Sequence, residues 1–206
     1  MSTEDICIVV QGPSSNVSDV REAWKHYTNQ LVYCTWNGNE NLYTQTDNVL
    51  FIDMPLNRGI GNLNLQKITT NCGIKYAKDN GYKRVLKIRS DMIPTNPEVF
   101  LKHFSEETFE VFALAPDQGG YYTDYFMCGK IDVMESIWNV DIEKQWLHAE
   151  QALMNNIKNV CKDDVSLYIE KMNEYNEVYW FKYSKFLRES WLKSVKILKQ
   201  QLGMEI

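Results

Sequence analysis

The residues with the clearest chemical potential close a short apolar run. Leu86 and Ile88 alternate with Lys87 and Arg89, and Asp91 follows two positions later. Because the side chains of a strand alternate between its two faces, we expect the three charged residues to lie in one row. Unpaired buried charge is costly, so the row must either be paired internally or open into a wet crevice at the carboxyl end of the strand.

Two interpretations of this row remain open. Ligands of open α/β sheets bind at the carboxyl ends of strands, which favours a binding site that contains Arg89 and Asp91. Alternatively, these two residues form an ion pair that closes the edge of the sheet. Pro94 and Pro97 stop the strand in either case.

Residues 119–129 form a second segment of unusual composition. The segment is rich in aromatic residues, carries one acid, Asp124, and precedes a helix predicted near Ile131–Trp138. We interpret it as a binding segment rather than a core strand, with an aromatic hairpin that packs on the sheet as the alternative. Further along the chain, Glu150 lies near the start of another predicted helix, where the helix dipole alone favours a carboxylate.

The elements that would position these residues alternate between strands and helices. Apolar runs predict strands at Ile6–Val10, Leu31–Trp36, Val49–Asp53, 85–92 and Val111–Ala115. Helices are predicted over about Ser18–Asn29 and Leu65–Asn80, with a further helix start at Asn96-Pro97. The alternation predicts an α/β fold with a mostly parallel central sheet flanked by helices.

Length and composition limit the architecture and the partners. With 206 residues, 44% of them hydrophobic, the chain can form one sizeable core, and we predict a single domain. A formal net charge of -5 argues against a general nucleic-acid-binding protein, which needs a basic face. The five cysteines are scattered without a C-x-x-C pair, so we expect reduced thiols rather than a disulfide framework or a zinc site.

The sequence carries no transmembrane-length apolar run and no secretory pattern in its first residues, so we expect a cytoplasmic protein. Between Trp180 and Gln200 apolar residues recur at intervals of three or four, which predicts an amphipathic helix. Residues 180–206 carry six basic and two acidic side chains, so this helix could contact an anionic membrane peripherally. Alternatively it packs on the domain, with 161–206 as a helical extension of a core formed by 1–160.

Several of these segments resemble a known family. Their order and spacing are similar to those of the WavE-type lipopolysaccharide-synthesis family, and the similar segments are Ile6–Gly12, Cys34–Trp36, Asn64–Lys67, Leu86–Met92, Asp124–Phe126 and Glu150-Gln151. The most specific of them is the LKIRSDM sequence of Leu86–Met92. The resemblance implies the GT-A fold of nucleotide-diphospho-sugar transferases. It also implies a glycosyltransferase that moves a sugar from a nucleotide-diphosphate sugar to a glycan acceptor of a surface polysaccharide or lipopolysaccharide.

Such a transfer needs a nucleotide pocket and charge neutralisation for the leaving diphosphate. Together with the predicted strand ends, the resemblance indicates nine donor-binding residues: Gln11, Gly12, Trp36, Asp53, Arg58, Gln66, Lys67, Arg89 and Asp91. In the Asp-x-Asp motif of GT-A enzymes a carboxylate holds Mn²⁺ or Mg²⁺ against the diphosphate, and Asp91 matches its second acid. Arg89 stands at the first position, so Arg89 or Lys87 could share the neutralisation directly.

On the acceptor side, the resemblance implies Glu150 as the general base, Asp124 as its rival, and acceptor contacts from residues 119–129. Two other classes remain open. A non-catalytic nucleotide- or sugar-binding module would account for the incomplete metal motif, and a test of donor turnover would distinguish it from an enzyme. A sugar-phosphate nucleotidyltransferase would share the fold but should carry a glycine-rich basic loop after the first strand, whereas residues 11–15 contain no Lys or Arg.

Overall fold

The computed structural model of the chain describes residues 3–91, 93, 97–98, 101, 109–114, 121–140, 149–161 and 166–167. For 109–114, 121–125, 149–151 and 166–167 the description is limited to the backbone. The predicted helix over 180–200, the first residues of the 119–129 segment and the predicted helix cap at Asn96 lie outside the described residues.

Strands and helices alternate along the first half of the chain, as predicted. The strands in the described part of the chain are β1 (Ile6–Gln11), β2 (Leu31–Trp36), β3 (Val49–Ile52), β4 (Arg84–Arg89), β5 (Phe109–Leu114), β6 (Tyr121–Lys130) and β7 (Ser166–Leu167). The α-helices there are α1 (Val17–Ala23), α2 (Leu63–Asp79), α3 (Ile131–Trp138) and α4 (Ala149–Cys161).

The described strands form one sheet of seven, in the order β3-β2-β1-β4-β6-β5-β7. The first four are parallel, β6 runs antiparallel to both β4 and β5, and β7 is parallel to β5. This confirms the prediction of an α/β fold with a mostly parallel central sheet. The strand β7 lies within the extension that was predicted to be helical, and it joins the edge of the sheet.

The first helix is shorter than its periodicity predicts. The helix α1 ends at Ala23, and residues Lys25–Tyr27 form a 3-10 turn. A 3-10 turn brings residues three apart onto one side. Here it pairs the fully buried Trp24 with Tyr27, whose ring lies edge-on at a centroid distance of 5.9 Å.

The interpretation of residues 119–129 as a binding segment rather than a core strand is wrong for most of the segment. Residues 121–130 form β6, which lies between β4 and β5 inside the sheet. Phe126, Met127 and Cys128 are buried on both faces of that strand. The aromatic composition concealed a core strand, because aromatic residues also suit a strand that is paired on both edges, here with β4 and β5.

One face of the sheet packs against α2, α3 and α4. The closest approach is at Gly73 of α2, where a Cβ atom would overlap the Val9 side chain and lie 3.0 Å from Cys34 Sγ. Glycine in the middle of a helix destabilises it by about 1 kcal/mol relative to alanine. At Gly73 this loss of helix stability allows α2 to pack directly against β1 and β2.

None of the described helices combines the length and the apolarity needed to cross a bilayer.

Candidate functional site

The strand order changes direction between β1 and β4. The chain passes from β1 to β2 and β3 on one side of the sheet, then returns through α2 to β4 on the other side of β1. In open α/β sheets the crevice at such a switch point, beyond the carboxyl ends of the strands, is where ligands bind. Here Gln11 and Gly12 end β1, and Arg89 and Asp91 lie at the end of β4.

The two strand ends are linked by hydrogen bonds through Ser90. Its N–H donates to the Gln11 carbonyl at 2.9 Å, and its hydroxyl donates to the Pro13 carbonyl at 2.8 Å. Gly12 has a positive φ of 128°, which residues with a side chain rarely adopt. A Cβ atom added to Gly12 would lie 2.9 Å from Ser90 Oγ. Only glycine fits this crossing of the two strand ends without strain.

A buried chain of hydroxyl groups supports the loop after β1 from behind. Ser14 Oγ lies 2.8 Å from Thr35 Oγ1 of β2, and the Tyr43 hydroxyl donates to Ser14 Oγ at 2.9 Å. Side chains held by such networks lose little further freedom when a ligand binds, so the loop is preorganised.

The start of α2 forms the opposite wall of the crevice. Gly61 and Asn62 both have positive φ, 58° and 61°, which turns the chain sharply into the helix. The first two helical amides are already used, because Leu63 donates to the Ile60 carbonyl and Asn64 donates to the Arg58 carbonyl at 3.1 Å.

Together these segments enclose a cavity of about 350 Å³, a size typical of small-molecule sites. Its lining in the described part of the chain consists of Gln11, Gly12, Pro13, Trp36, Gly61, Asn62, Leu65, Gln66, Arg89 and Asp91. Six of the nine predicted donor residues therefore share one cavity: Gln11, Gly12, Trp36, Gln66, Arg89 and Asp91.

Both interpretations of the charged row apply to its last two residues. Arg89 Nε donates to Asp91 Oδ1 at 2.8 Å, and Arg89 Nη2 donates to Asp91 Oδ2 at 2.7 Å. Each side chain keeps 29% of its surface exposed. The ion pair therefore exists and at the same time faces the cavity.

Two amide side chains in the cavity wall have unused acceptor atoms. The side-chain oxygens of Gln11 and Gln66 are buried and accept no hydrogen bond from the described residues. Gln11 is only 6% exposed. A buried acceptor without a partner destabilises a protein by about 1–3 kcal/mol, so these oxygens are suited to donors that arrive with a ligand.

The other three predicted donor residues lie outside the lining of this cavity. Asp53 is exposed beyond the end of β3 and accepts a hydrogen bond from Asn37 Nδ2. Arg58 is exposed in the loop before α2, with its guanidinium 3.6 Å from Met54 Sδ. Lys67 donates to the Val140 carbonyl and so fixes the end of α3 against α2.

Of the two alternatives for the charged row, an opening into the crevice is wrong for Lys87. Lys87 is fully buried in the sheet, and its Nζ lies 5.4 Å from the centre of the Trp138 ring. The two residues share a face of β4, but α3 covers that face at Lys87 and leaves it open at Arg89. Strand alternation identifies the face and carries no information about how far the covering helix extends.

The two predicted catalytic acids lie in β6 and α4. Asp124 lies in β6, two residues from Phe126, whose partner in β4 is Ile88, so the strand carries Asp124 toward the cavity end of β4. Glu150 is the second residue of α4. The helix α4 contacts the Ile60–Asn62 turn, which supplies part of the cavity wall.

The predicted divalent-metal site does not fit the donor set that the structure describes. Asp91 is the one acid in the described cavity lining, and both of its oxygens are engaged by Arg89. Within the described ranges no three His, Cys, Asp or Glu side chains are grouped closely enough to hold a metal ion. Mg²⁺ and Mn²⁺ require several oxygen ligands.

A second cavity, of about 450 Å³, lies at the opposite end of β4, beside Arg84 and Lys130. Two of its lysines are already paired: Lys78 with Glu135 at 2.7 Å, and Lys83 with Asp5 at 2.9 Å. The amino ends of parallel strands are not the usual ligand-binding edge, so we assign the functional site to the first cavity.

Four lining residues and one supporting residue are not among the individually predicted site residues, although Pro13 belongs to the 11–15 loop, which was expected near the base and ribose. Pro13, Gly61, Asn62 and Leu65 line the cavity, and Ser90 joins the two strand ends. The Gly-Ile-Gly-Asn sequence of residues 59–62 was the available signal, since Gly and Asn tolerate positive φ at a tight turn before a helix. Ser90 belongs to the LKIRSDM segment, but its role could not be predicted from it, because that role depends on a partner 77 residues away in the chain.

Comparison with solved structures identifies the fold. The chain is similar to a protein from Desulfovibrio desulfuricans described as a nucleotide-diphospho-sugar transferase, with a TM-score of 0.52 and 14% identity over 81% of this chain and 80% of that one. It is also similar to a glycosyltransferase involved in the glycosylation of the major capsid of PBCV-1, with a TM-score of 0.50 and 12% identity over 79% and 80% of the two chains.

A third similar structure is the 4-diphosphocytidyl-2C-methyl-D-erythritol synthase of Anaerococcus prevotii, with a TM-score of 0.52 and 11% identity over 96% of this chain and 100% of that one. No protein-family model matches the sequence, and no curated protein matches it. At these identities the likeness establishes the fold: the chain has the GT-A-like fold of nucleotide-diphospho-sugar transferases.

Proposed function

We propose that the chain is a glycosyltransferase that moves a sugar from a nucleotide-diphosphate sugar to a glycan acceptor. The observation that carries the proposal is the cavity at the switch point between β1 and β4, in a sheet with this fold. Its wall combines an aromatic ring, two buried amides and a guanidinium. These groups match the base, the hydroxyl groups and the diphosphate of such a donor.

The β1 and β2 side of the cavity would receive the nucleoside. Trp36, at the end of β2, is 7% exposed and is part of the cavity lining. An aromatic ring that reaches a nucleobase can stack on it, with about 1–3 kcal/mol per base. The carboxamides of Gln11 and Gln66 can each present an oxygen or an amino group, so they suit ribose hydroxyls or base edges. Asp53 and Arg58, exposed beside the next strand end, are candidates for contacts with the outer part of the donor.

In the transfer, an acceptor hydroxyl attacks the anomeric carbon while the bond from that carbon to the diphosphate oxygen breaks. The electron pair of the broken bond leaves with the nucleoside diphosphate, and the hydroxyl proton passes to a base. We assign Glu150 to that role on the resemblance of Glu150-Gln151, with Asp124 as the alternative. The helix that carries Glu150, α4, contacts the Ile60–Asn62 turn of the cavity wall. The acceptor is proposed to be a surface polysaccharide or lipopolysaccharide glycan, on the strength of the resemblance of Leu86–Met92.

The test is a panel of nucleotide sugars, measured by thermal shift and by mass spectrometry of the released sugar. We expect one nucleotide sugar to raise the melting temperature and to be hydrolysed slowly without an acceptor. Binding without release of sugar, with glycan acceptors also present, would instead identify a non-catalytic binding module. If no nucleotide or nucleotide sugar binds, the proposed function is wrong.

A sugar-phosphate nucleotidyltransferase is the second candidate, because the fold likeness to the diphosphocytidyl synthase extends over 96% of this chain. Against it, Gly12 is followed by Pro13 and two serines, so the loop after β1 offers no cation to a triphosphate. Release of pyrophosphate from a nucleoside triphosphate and a sugar 1-phosphate would favour this candidate over the glycosyltransferase.

A further inference from the structure

We propose that Arg89 neutralises the diphosphate of the donor directly, without a divalent cation, by exchanging the Asp91 carboxylate for a phosphate group. This inference rests on the proposed function and deepens it, because it identifies the group that receives the leaving diphosphate. It departs from the metal-dependent arrangement implied by the resemblance to GT-A enzymes.

The charge distribution in the cavity supports this assignment. Arg89 is the one cationic side chain in the described cavity lining, since Lys87 is buried in the core and Lys67 is used at the Val140 carbonyl. The first amides of α2 are also used, by the carbonyls of the 58–60 loop. Among the described residues that line the cavity, Arg89 is therefore the positive group that a diphosphate would meet.

The geometry of the ion pair supports the exchange. Asp91 binds Arg89 through two parallel hydrogen bonds, at 2.8 and 2.7 Å. A phosphate presents two oxygens in nearly the same arrangement as a carboxylate, so it can occupy the same two donors. Both partners are 29% exposed, which leaves the pair accessible from the cavity. In the free protein, Asp91 thus holds the guanidinium in the orientation that the diphosphate needs.

The same geometry disfavours a cation at Asp91. A metal ion would have to share both carboxylate oxygens with the guanidinium or displace it, and it would lie within a few ångströms of a fixed positive charge. During transfer, the negative charge that develops on the departing oxygen is then stabilised by a preorganised arginine, which needs no further charge in the site.

The experiment measures the binding of UDP, GDP, CDP and ADP by calorimetry, once in EDTA and once in Mn²⁺. For the diphosphate that binds, we expect the dissociation constants in the two conditions to agree within about twofold. Arg89→Gln should weaken diphosphate binding at least about tenfold, which corresponds to the loss of one charge-assisted interaction. Arg89→Lys should retain part of the binding affinity, because it keeps the positive charge. Asp91→Asn, which removes the negative charge that competes with a phosphate for these two donors, should bind as tightly as the wild type or more tightly.

The matched control is Lys75→Gln, which removes one positive charge from the exposed surface of α2 and should leave binding unchanged. Equal melting temperatures of the variants show that weak binding does not reflect unfolding. Binding that requires Mn²⁺, or loss of binding in Asp91→Asn with Arg89→Gln unaffected, would overturn this inference and leave the proposed function standing. If none of the four diphosphates binds the wild type and no nucleotide sugar does, both are wrong.

Discussion

Arg89 and Asp91, two residues apart at the end of β4, form a bidentate ion pair in the wall of the cavity. The pair occupies the position where the resemblance of Leu86–Met92 implied an Asp-x-Asp metal motif. A fixed guanidinium with its carboxylate differs from two carboxylates in one respect that matters for function: it already contains the positive charge that a phosphate needs.

Gly12 is predicted to be sensitive to a single methyl group. Its φ of 128° strains any other residue, and a Cβ would lie 2.9 Å from Ser90 Oγ. Gly12→Ala should therefore lower the free energy of unfolding by about 1–3 kcal/mol and weaken nucleotide binding, as measured by urea denaturation and calorimetry.

Gly38 provides the control for this prediction. It also has a positive φ, of 94°, but no described residue other than its chain neighbours has an atom within 4 Å of the Cβ that would be added. Gly38→Ala should show the backbone strain alone and leave nucleotide binding intact. Equal effects of the two substitutions on binding would contradict the role assigned to the Gly12–Ser90 contact.

Replacing an amide in the cavity wall should affect protein stability and nucleotide binding in opposite directions. Gln66→Leu removes a buried oxygen that accepts no hydrogen bond from the described part of the chain, so the melting temperature should stay the same or rise. Nucleotide affinity should fall by about tenfold, because the ligand loses a buried hydrogen bond.

Gln30→Leu is the matched substitution with the opposite expectation for stability. Gln30 Nε2 donates to the Thr3 and Ile6 carbonyls, so its loss should lower the melting temperature and leave nucleotide affinity unchanged. A Gln66→Leu variant that is destabilised and binds normally would exclude a ligand-binding role for this side chain.

The sequence predicts those features of the site that depend on local rules. Strand alternation and the turn-forming residues that follow β1, β2 and β4 mark Gln11, Trp36 and Arg89 as strand-end residues. Parallel strands bring their carboxyl ends to one edge of the sheet. Lys87 and Lys67 could not be assigned in this way. Their positions depend on where α3 ends and what it covers, because Lys87 meets Trp138, 51 positions further along the chain, and Lys67 meets Val140, 73 positions further along.

Glu150 is the proposed base, and its substitution should separate chemistry from binding. Glu150→Gln retains the size and polarity of the side chain but cannot take a proton at neutral pH, so transfer should fall by at least about a hundredfold while the donor still binds. The measurement is single-turnover transfer with saturating donor, beside calorimetric donor affinity. Asp124→Asn is the parallel variant: if it loses transfer and Glu150→Gln does not, Asp124 is the base.

The pairing of Arg21 with Asp47 predicts a dependence of stability on pH. Burial alone raises the pKa of the Asp47 carboxyl, but hydrogen bonds from Arg21 and Thr44 outweigh it and hold that pKa below its ordinary value. A lowered pKa in the folded state contributes stability above the unfolded value of about 4, and the contribution is lost as the pH falls through the folded value.

Asp47→Asn should therefore destabilise the protein by about 1–2 kcal/mol at pH 7, and by progressively less below about pH 4. Denaturant titrations at pH 7, 5 and 3 measure this difference. Asp79→Asn, which breaks an exposed pair with Lys75, should change stability by less than about 0.5 kcal/mol at any of these pH values. A deficit for Asp47→Asn that stays constant with pH would mean that the carboxylate charge is not its cause.

Gly73 connects the helix layer to the strands that carry the site. A methyl group at this position would overlap the Val9 side chain and crowd Cys34 Sγ. Gly73→Ala should therefore lower the free energy of unfolding by about 1–3 kcal/mol, although alanine alone favours the helix by about 1 kcal/mol. If the overlap with Val9 is the cause, Val9→Ala should make room for the new methyl group, and the two substitutions together should be less destabilising than the sum of their separate effects by at least about 0.5 kcal/mol. Strict additivity in this double-mutant cycle, measured by urea denaturation, would locate the strain elsewhere in α2.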